Sequence, residues 1–353
     1  MATDVELVAM DRAILIAALG LGSTSPNPSV GAVILDAAGA VVGEGHTAPP
    51  GGPHAEVVAL SQAGGRARGA TAVVTMEPCD HTGRTGPCSE ALIEAGIARV
   101  VVAIRDPTPE ASGGLDRLRA AGIDVEEGVR AAEARAGLRY WLAAQGRERP
   151  YVIWKFASTL DGRSAAADGT SKWITSPAAR ADVHALRGTV DAIVAGVGTI
   201  LADDAQLTVR TASAQGTRAQ RPLRVVVDSS GRTPKDARVC DNTAPTWIAT
   251  AADVGTTADG RVDLAALCKR LYDRGIRAVL LEGGPTLAGA FAEAGLIDEI
   301  VGYIAPKLLG AGANAFGPAG VDTIGNAFEL DIRDVNRIGP DLRLTAVLKN
   351  RSA

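Results

Sequence analysis

Three side chains suited to a soft metal stand in the first quarter of the chain: His54, Cys79 and Cys88. One imidazole and two thiolates give zinc three protein ligands and leave a fourth tetrahedral position open to water. Bound zinc lowers the pKa of that water towards ~7, so a hydroxide nucleophile exists at neutral pH. Glu56 follows His54 by two residues, close enough to move protons without serving as a ligand. Together these groups suit hydrolytic attack on a ring carbon that carries an amine.

His54-Ala-Glu56, then Pro78-Cys79 and Cys88, follows the H-x-E…P-C…C arrangement of zinc deaminases, but eight residues separate the two thiols. That longer insert, Asp80 to Pro87, admits two plainer readings. One is a closed structural zinc with His81 or a distant residue as fourth ligand. The other is a pair of ordinary buried cysteines.

These residues need elements to hold them. A chain of 353 residues predicts about two domains, each able to bury a core. It is 46% hydrophobic and only 3% aromatic, which suits an α/β protein. Lys+Arg 36 against Asp+Glu 40 leaves a net charge of −4, so no basic field invites nucleic acid and an anionic substrate must meet local arginines. Asp4, Glu6, Asp11 and Arg12 interrupt Met1–Gly22, which speaks against a signal peptide or a spanning helix there. Cys240 and Cys268 read as idle thiols, and the expectation is a reduced, cytoplasmic protein.

In the first half, a helical period runs through Met1–Leu21, short strands flank Asp36–Gly39, and His54–Gln62 reads as a helix with His54 at its start. Thr71–Met76 is a strand delivering Cys79, Ser89–Ala95 a helix opened by Cys88, Arg99–Ile104 a strand, and Gly114–Ala121 and Arg130–Gln145 helices. This alternation predicts a largely parallel sheet with helices on both faces. Gly43-Glu-Gly-His-Thr-Ala48 matches a dinucleotide fingerprint in form, but Pro49-Pro50 bars the helix it requires.

Polar Gly146–Pro150 reads as a junction, giving domains 1–146 and 150–353. In the second, Lys155 interrupts the apolar strand Tyr151–Ala157, either as an edge-strand charge or as a site residue. Pro177–Arg187 reads as a helix, Val190–Ala195 and Leu223–Val227 as strands, and Asp203–Arg210 as a loop. Glu282-Gly-Gly-Pro-Thr-Leu287 joins a buried strand to a helix ending at Ala294. Its free N–H groups form a cradle for phosphate, or the glycines are plain punctuation. Phe328–Arg337 and Leu342–Lys349 close the chain as strands.

Ser25-Pro-Asn27-Pro-Ser-Val-Gly31, Gly43-Glu-Gly-His46, His54-Ala-Glu56 and Glu77-Pro-Cys79 through Cys88 together resemble the deaminase half of the bifunctional riboflavin-biosynthesis deaminase/reductase family. The long cysteine spacing is normal in that family. The resemblance implies a three-layer, cytidine-deaminase-like domain acting on a phosphoribosylated diaminopyrimidinone, with Asn27, His46, His81 and Arg84 as its substrate contacts. Taken alone, Asn27 is a turn residue and His46 a loop histidine. Arg84 stands where lysine is expected, and Thr108 where asparagine is.

Lys155–Gly162, Ser171–Thr175, Arg187, Asp191–Thr199, Asp203, Leu207–Arg210, Asp228-Ser229 and Glu282–Thr286 resemble the reductase half, in the same order along the chain. That implies a dihydrofolate-reductase-like α/β domain using NADPH. Ala157, Trp173, Thr199, Asp203, Ser229 and Gly284, Pro285, Thr286, Leu287, Ala288, Gly289 and Ala290 would touch the cofactor. Ser171, Arg187, Leu207, Arg210 and Glu282 would touch the substrate, and Lys155 and Asp203 are the catalytic candidates. On their own, Trp173 reads as core, Arg187 and Arg210 as solvated charges, and His184 as structural. Ala205 replaces an expected proline. Two rivals remain at this point: an RNA or nucleoside deaminase with an accessory domain, and a nucleotide-binding regulatory module with a structural zinc. The family further implies a homodimer, with neither nucleic acid nor membrane as partner.

Overall fold

The computed structural model describes residues 1–83, 86–210 and 221–349. The chain divides into two compact units, Met1–Arg147 and Glu148–Ala353.

In the first unit the strands are β1 (Gly31–Leu35), β2 (Val41–His46), β3 (Thr71–Val74), β4 (Arg99–Val102) and β5 (Asp124–Glu127). The helices are α1 (Asp4–Ala17), α2 (Ala55–Ala63), α3 (Cys88–Glu94), α4 (Gly114–Ala120), α5 (Ala131–Gly137) and α6 (Arg139–Arg147). The sheet order is β2-β1-β3-β4-β5. Only β3, β4 and β5 are mutually parallel; β1 runs antiparallel to both β2 and β3. The largely parallel sheet expected from alternation is therefore mixed, because β1 and β2 are joined by a turn too short for a crossover. Asp36 closes that turn by accepting from the Ala38 and Ala40 amides at 3.0 and 2.9 Å.

Glycines let the helices lie close on this sheet. A Cβ on Gly43 would fall 2.1 Å from the Ala59 carbonyl oxygen of α2, and one on Gly45 2.6 Å from Val58. The glycine motif rejected as a dinucleotide site is thus what seats the helix carrying Glu56. Met10, Val33, Ile34, Val73, Leu92, Val101 and Leu118 form part of the core.

The second unit contains β6 (Tyr151–Thr159), α7 (Pro177–Arg187), β7 (Ala192–Gly196), α8 (Val197–Asp203), β8 (Leu223–Val227), β9 (Thr246–Ala249) and α9 (Ala251–Val254). It continues with α10 (Leu264–Asp273), β10 (Ala278–Leu281), α11 (Pro285–Glu293), β11 (Glu299–Ala305), β12 (Leu330–Ile338) and β13 (Asp341–Leu348). Eight strands run in the order β12-β13-β11-β6-β10-β7-β8-β9. From β11 to β9 neighbours are parallel, and β13 and β12 add an antiparallel edge. β6 lies between β10 and β11, so Lys155 is not on an edge strand. Its parallel strands are runs of buried Val, Ile, Leu and Ala, as a sheet covered on both faces requires. Among the described residues no helix is long and apolar enough to cross a membrane.

Candidate functional site

His54 is the N-cap of α2, with extended backbone (φ −74°, ψ 166°). Cys79 follows β3 and Cys88 opens α3. The His54 Nδ1 lies 3.6 Å from Cys79 Sγ and 3.3 Å from Cys88 Sγ. Tetrahedral bonds of about 2.0 Å to nitrogen and 2.3 Å to sulfur would hold those atoms about 3.5 Å apart, so the donor set fits zinc. All three ligand atoms fall within 4.8 Å of one another, and no fourth His, Cys, Asp or Glu joins them among the described residues. The Cys88 amide donates to Cys79 Sγ at 3.5 Å, orienting the sulfur.

Charge is crowded here. The Cys88 hydrogen bond, then His54, hold the Cys79 thiol down to about 4, and the same bond together with burial pushes the Cys88 thiol up. Burial pushes the Glu56 carboxyl up to about 7, with the Cys79 charge adding to it. A dication among these groups favours their ionised forms.

Several supporting residues were not singled out by spacing. Glu77 accepts from the Gly113 and Leu115 amides at 3.0 and 3.2 Å and from the Asp106 amide at 3.1 Å, tying the 106–115 segment beneath the ligand turn. Asp80 accepts from Ser89 Oγ at 2.6 Å and from Arg117 at 3.0 Å, stapling the residue after one ligand to the residue after the other. Both fall within the motif that carries the family resemblance, but no role was assigned to them there. Thr108 donates through its amide and hydroxyl to Asp106 Oδ1 at 2.8 and 2.6 Å, so threonine is accommodated in that turn. Asn27 is half-buried in a turn closed by its amide on the Thr24 carbonyl at 3.0 Å. His46 ends β2, and His81 is exposed. Arg84 lies outside the described residues.

In the second unit a cavity of 1610 Å³ opens at the carboxyl ends of β6, β10, β7 and β8. Open parallel sheets bind ligands there. Every residue of this unit that sequence reasoning put in a site lines it, except Ala288 and Gly289. Ala288 is core, and a Cβ on Gly289 would meet the Pro318 carbonyl oxygen at 2.1 Å.

The cavity holds an ionic cluster at its floor. Glu282 accepts two bonds from Arg187 at 2.5 and 2.8 Å, and Lys155 Nζ approaches it at 3.9 Å. Arg187 also donates to the Thr208 carbonyl at 2.8 Å. Arg187, expected alone to be solvated, is a buried partner of Glu282. Burial works to raise the Glu282 carboxyl, but Arg187 and Lys155 outweigh it and hold it at about 2. Burial, then Arg187, lower the Lys155 ammonium. His184 is held down to about 4 by burial and by Arg187 and Arg210, and the Arg210 amide and Nε approach its two ring nitrogens as donors at 3.3 Å each. It lines the cavity.

Around this floor, Trp173 is 62% exposed and carries the Arg180 guanidinium 4.2 Å from its ring, so it is not core. Tyr303 donates to Asp182 at 2.5 Å, and Lys172 pairs with Asp203 at 3.8 Å. Asp203 closes α8, where a loop was expected. Beyond it, Asp204 (φ 45°) and Leu207 (φ 52°) hold left-handed backbone without being glycine, a strained stretch facing the cavity. Gly284, the N-cap of α11, makes no side-chain cap, and a Cβ there would meet only Thr199 Oγ1 at 3.8 Å. A bare helix N-terminus in a cavity this large fits a dinucleotide.

Residues 4–104 match the cytidine and deoxycytidylate deaminase zinc-binding region, and residues 150–344 match the RibD C-terminal domain. The riboflavin biosynthesis protein RibD of Mycobacterium tuberculosis is 50% identical over 330 residues, covering 93% of each chain. The chain belongs to the RibD family of riboflavin-biosynthesis deaminase/reductases. The Escherichia coli RibD is 42% identical, covering 96% of this chain and 98% of its own. The Acinetobacter baumannii RibD structure superposes with a TM-score of 0.88 at 40% identity, covering 98% of this chain and 99% of its own. A deaminase/reductase structure from Thermotoga maritima gives 0.87 at 34%, with the same coverage. A cytidine-deaminase-like zinc-binding domain and a dihydrofolate-reductase-like reductase domain of the RibD family are thus joined in one chain.

Proposed function

We infer that the first unit hydrolytically deaminates a phosphoribosylated diaminopyrimidinone and that the second then reduces the ribosyl chain of the product to ribityl. The observation that carries this is the three-donor set with tetrahedral separations and a buried carboxylate two residues beyond its histidine. His54, Cys79 and Cys88 hold zinc, which when bound supplies an activated water. Glu56 takes the proton of the attacking water and gives it to the departing amine nitrogen, which leaves as ammonia. Its burial keeps bulk water from that exchange. Asn27, His46, His81 and Arg84 contact pyrimidine or ribose phosphate.

NADPH, when bound in the second unit, supplies the hydride. Trp173, Thr199, Ser229 and the segment from Gly284 hold the cofactor, supported by their lining of one cavity. Ser171, Leu207 and Arg210 contact the sugar phosphate, with Arg187 and Glu282 fixing the floor. Lys155 polarises the carbonyl oxygen or donates the proton, and Asp203 relays it. The partners are small phosphoribosylated pyrimidines, in a cytoplasmic homodimer that binds no nucleic acid.

The test follows NADPH absorbance with zinc-loaded enzyme and the diaminopyrimidinone, beside Glu56→Gln. Wild type oxidises NADPH, and the variant does so slower by a factor on the order of 10²–10⁴. Given the deaminated pyrimidine instead, both turn over alike. Equal oxidation from the aminated substrate would show that the second unit reduces it directly, against the proposed order.

A further inference from the structure

Strand β8 carries an arginine among its valines, and that side chain, Arg224, is wholly buried. A charge is costly in such a place unless it is paired and hydrogen-bonded. Arg224 Nη1 donates to Asp241 Oδ1 at 2.8 Å and to the Gln206 carbonyl at 3.3 Å. Its Nη2 donates to the Asp241 and Ala244 carbonyls at 2.6 and 2.5 Å. The Thr243 amide fixes Asp241 Oδ1 at 3.0 Å, and the other Asp241 oxygen accepts from Gln206 Nε2 at 2.6 Å. Gln206 is therefore held twice, by its carbonyl and by its side chain. Arg238 adds to this, donating through Nη2 to Gln206 Oε1 at 3.1 Å and through its amide to Asp204 Oδ1 at 2.9 Å.

Gln206 lies in the segment from Asp203 to Arg210, along one wall of the second unit's cavity, whereas neither Arg224 nor Asp241 lines it. The far end of that segment is tied to the ionic floor. Arg187 donates to the Thr208 carbonyl at 2.8 Å, and the Arg210 amide donates to His184 Nδ1 at 3.3 Å. Leu207 sits between the two attachments with φ 52°. A leucine keeps left-handed backbone only where its surroundings over-determine it. Here the residue before it is gripped by the Arg224–Asp241 pair and the residue after it by Arg187. The grip of Arg224 and Asp241 begins beyond α8, the helix that carries Thr199, and Gly284 belongs to another strand end altogether.

We propose that Arg224 and Asp241 are positioning residues of the reductase, holding Leu207 and Arg210 through Gln206 at the place where the substrate's sugar phosphate is met. They act on the substrate side of the cavity and leave the cofactor side alone. This rests on the reading of Leu207 and Arg210 as substrate contacts.

The test uses full-length, zinc-loaded protein: steady-state reduction of the deaminated pyrimidine at saturating NADPH, calorimetric NADPH binding, and melting of the second unit. Gln206→Ala and Asp241→Asn each raise KM for the pyrimidine roughly fivefold to tenfold, keep kcat within about twofold, and leave NADPH affinity unchanged. Because both break one bond, the double variant is no worse than the weaker single. Thr243→Val, on an exposed turn, loosens Asp241 more gently and raises KM about twofold, which covers an Asp241→Asn that does not fold. A melting temperature that falls with KM unmoved would mark the network as structural and overturn the proposal. So would a parallel loss of NADPH affinity. Effects of Gln206 and Asp241 that multiply in the double variant would also overturn it, making Gln206 a separate contact. Wild type that binds NADPH yet does not reduce the deaminated pyrimidine sinks the reading of the substrate site, and this proposal with it.

Discussion

Glu282 is the residue on which the second unit's electrostatics turn. It is one largely buried carboxylate between a bidentate arginine and a lysine. Replacing it with glutamine leaves two largely buried cations uncompensated, and removing one partner of a buried pair costs about 3–5 kcal/mol. Glu282→Gln should therefore lower the melting temperature of the second unit by several degrees and weaken NADPH turnover. The acid limb of stability follows from the same cluster. Glu282 is held at about 2 against an ordinary 4.5, so its contribution is full above 4.5 and disappears as pH falls towards 2. His184, held at about 4 against 6.5, contributes above 6.5 and loses that as pH falls to 4. Both are depressed in the fold, so this cluster's share of the second unit's stability declines stepwise with acid from pH 6.5. Melting curves of the second unit across that range should show both steps for wild type and a smaller lower one in Glu282→Gln; an unchanged lower step would mean that the pair contributes nothing.

At the scale of elements, local pattern carried far where the signal was local. Pro177–Arg187 and Leu223–Val227 match α7 and β8 residue for residue, because each is bounded by a proline, a cap or a polar break. β11 was overlooked: its residues are buried on both faces and a glycine, Gly302, interrupts them, so no alternation marks a strand. Tyr303 was lost with it. The acidic edge strand β5 was missed, α8 was taken for a loop because of Gly196 and Gly198, and 130–145 was read as one helix although Leu138 breaks it. The metal ligands were legible because their spacing is confined to one motif. Arg187 and Arg210 were placed at the cavity only through the family resemblance, since no local spacing joins them to Glu282. One packing contact gives an element-level test. A Cβ on Gly114, at the start of α4, would fall 1.8 Å from the Pro78 carbonyl oxygen beside Cys79. Gly114→Ala must push the ligand turn or the helix, and displaced ligands or their supports typically cost 10–100-fold in metal affinity. Competition with a chromophoric zinc chelator measures it; unaltered affinity would show that α4 gives way instead.

At the scale of the whole chain, each unit has a hydrophobic core of its own, and the metal donors all belong to the first. Zinc binding to folded ligands is folding free energy for the unit that holds them, because the unfolded chain offers no assembled site. A cofactor that binds only the folded second unit adds RT ln(1 + [L]/Kd) to that unit, about 2.7 kcal/mol at a hundredfold excess over Kd. The two ligands should then move different transitions. Chelation lowers the first unit's melting temperature and abolishes deamination, while reduction of the already deaminated pyrimidine persists. NADPH raises the second unit's transition and leaves the first in place. Calorimetry with and without each ligand reads all four combinations. A transition that responds to both ligands would show that the units fold as one cooperative body, and the loss of metal would then reach the reductase through stability alone.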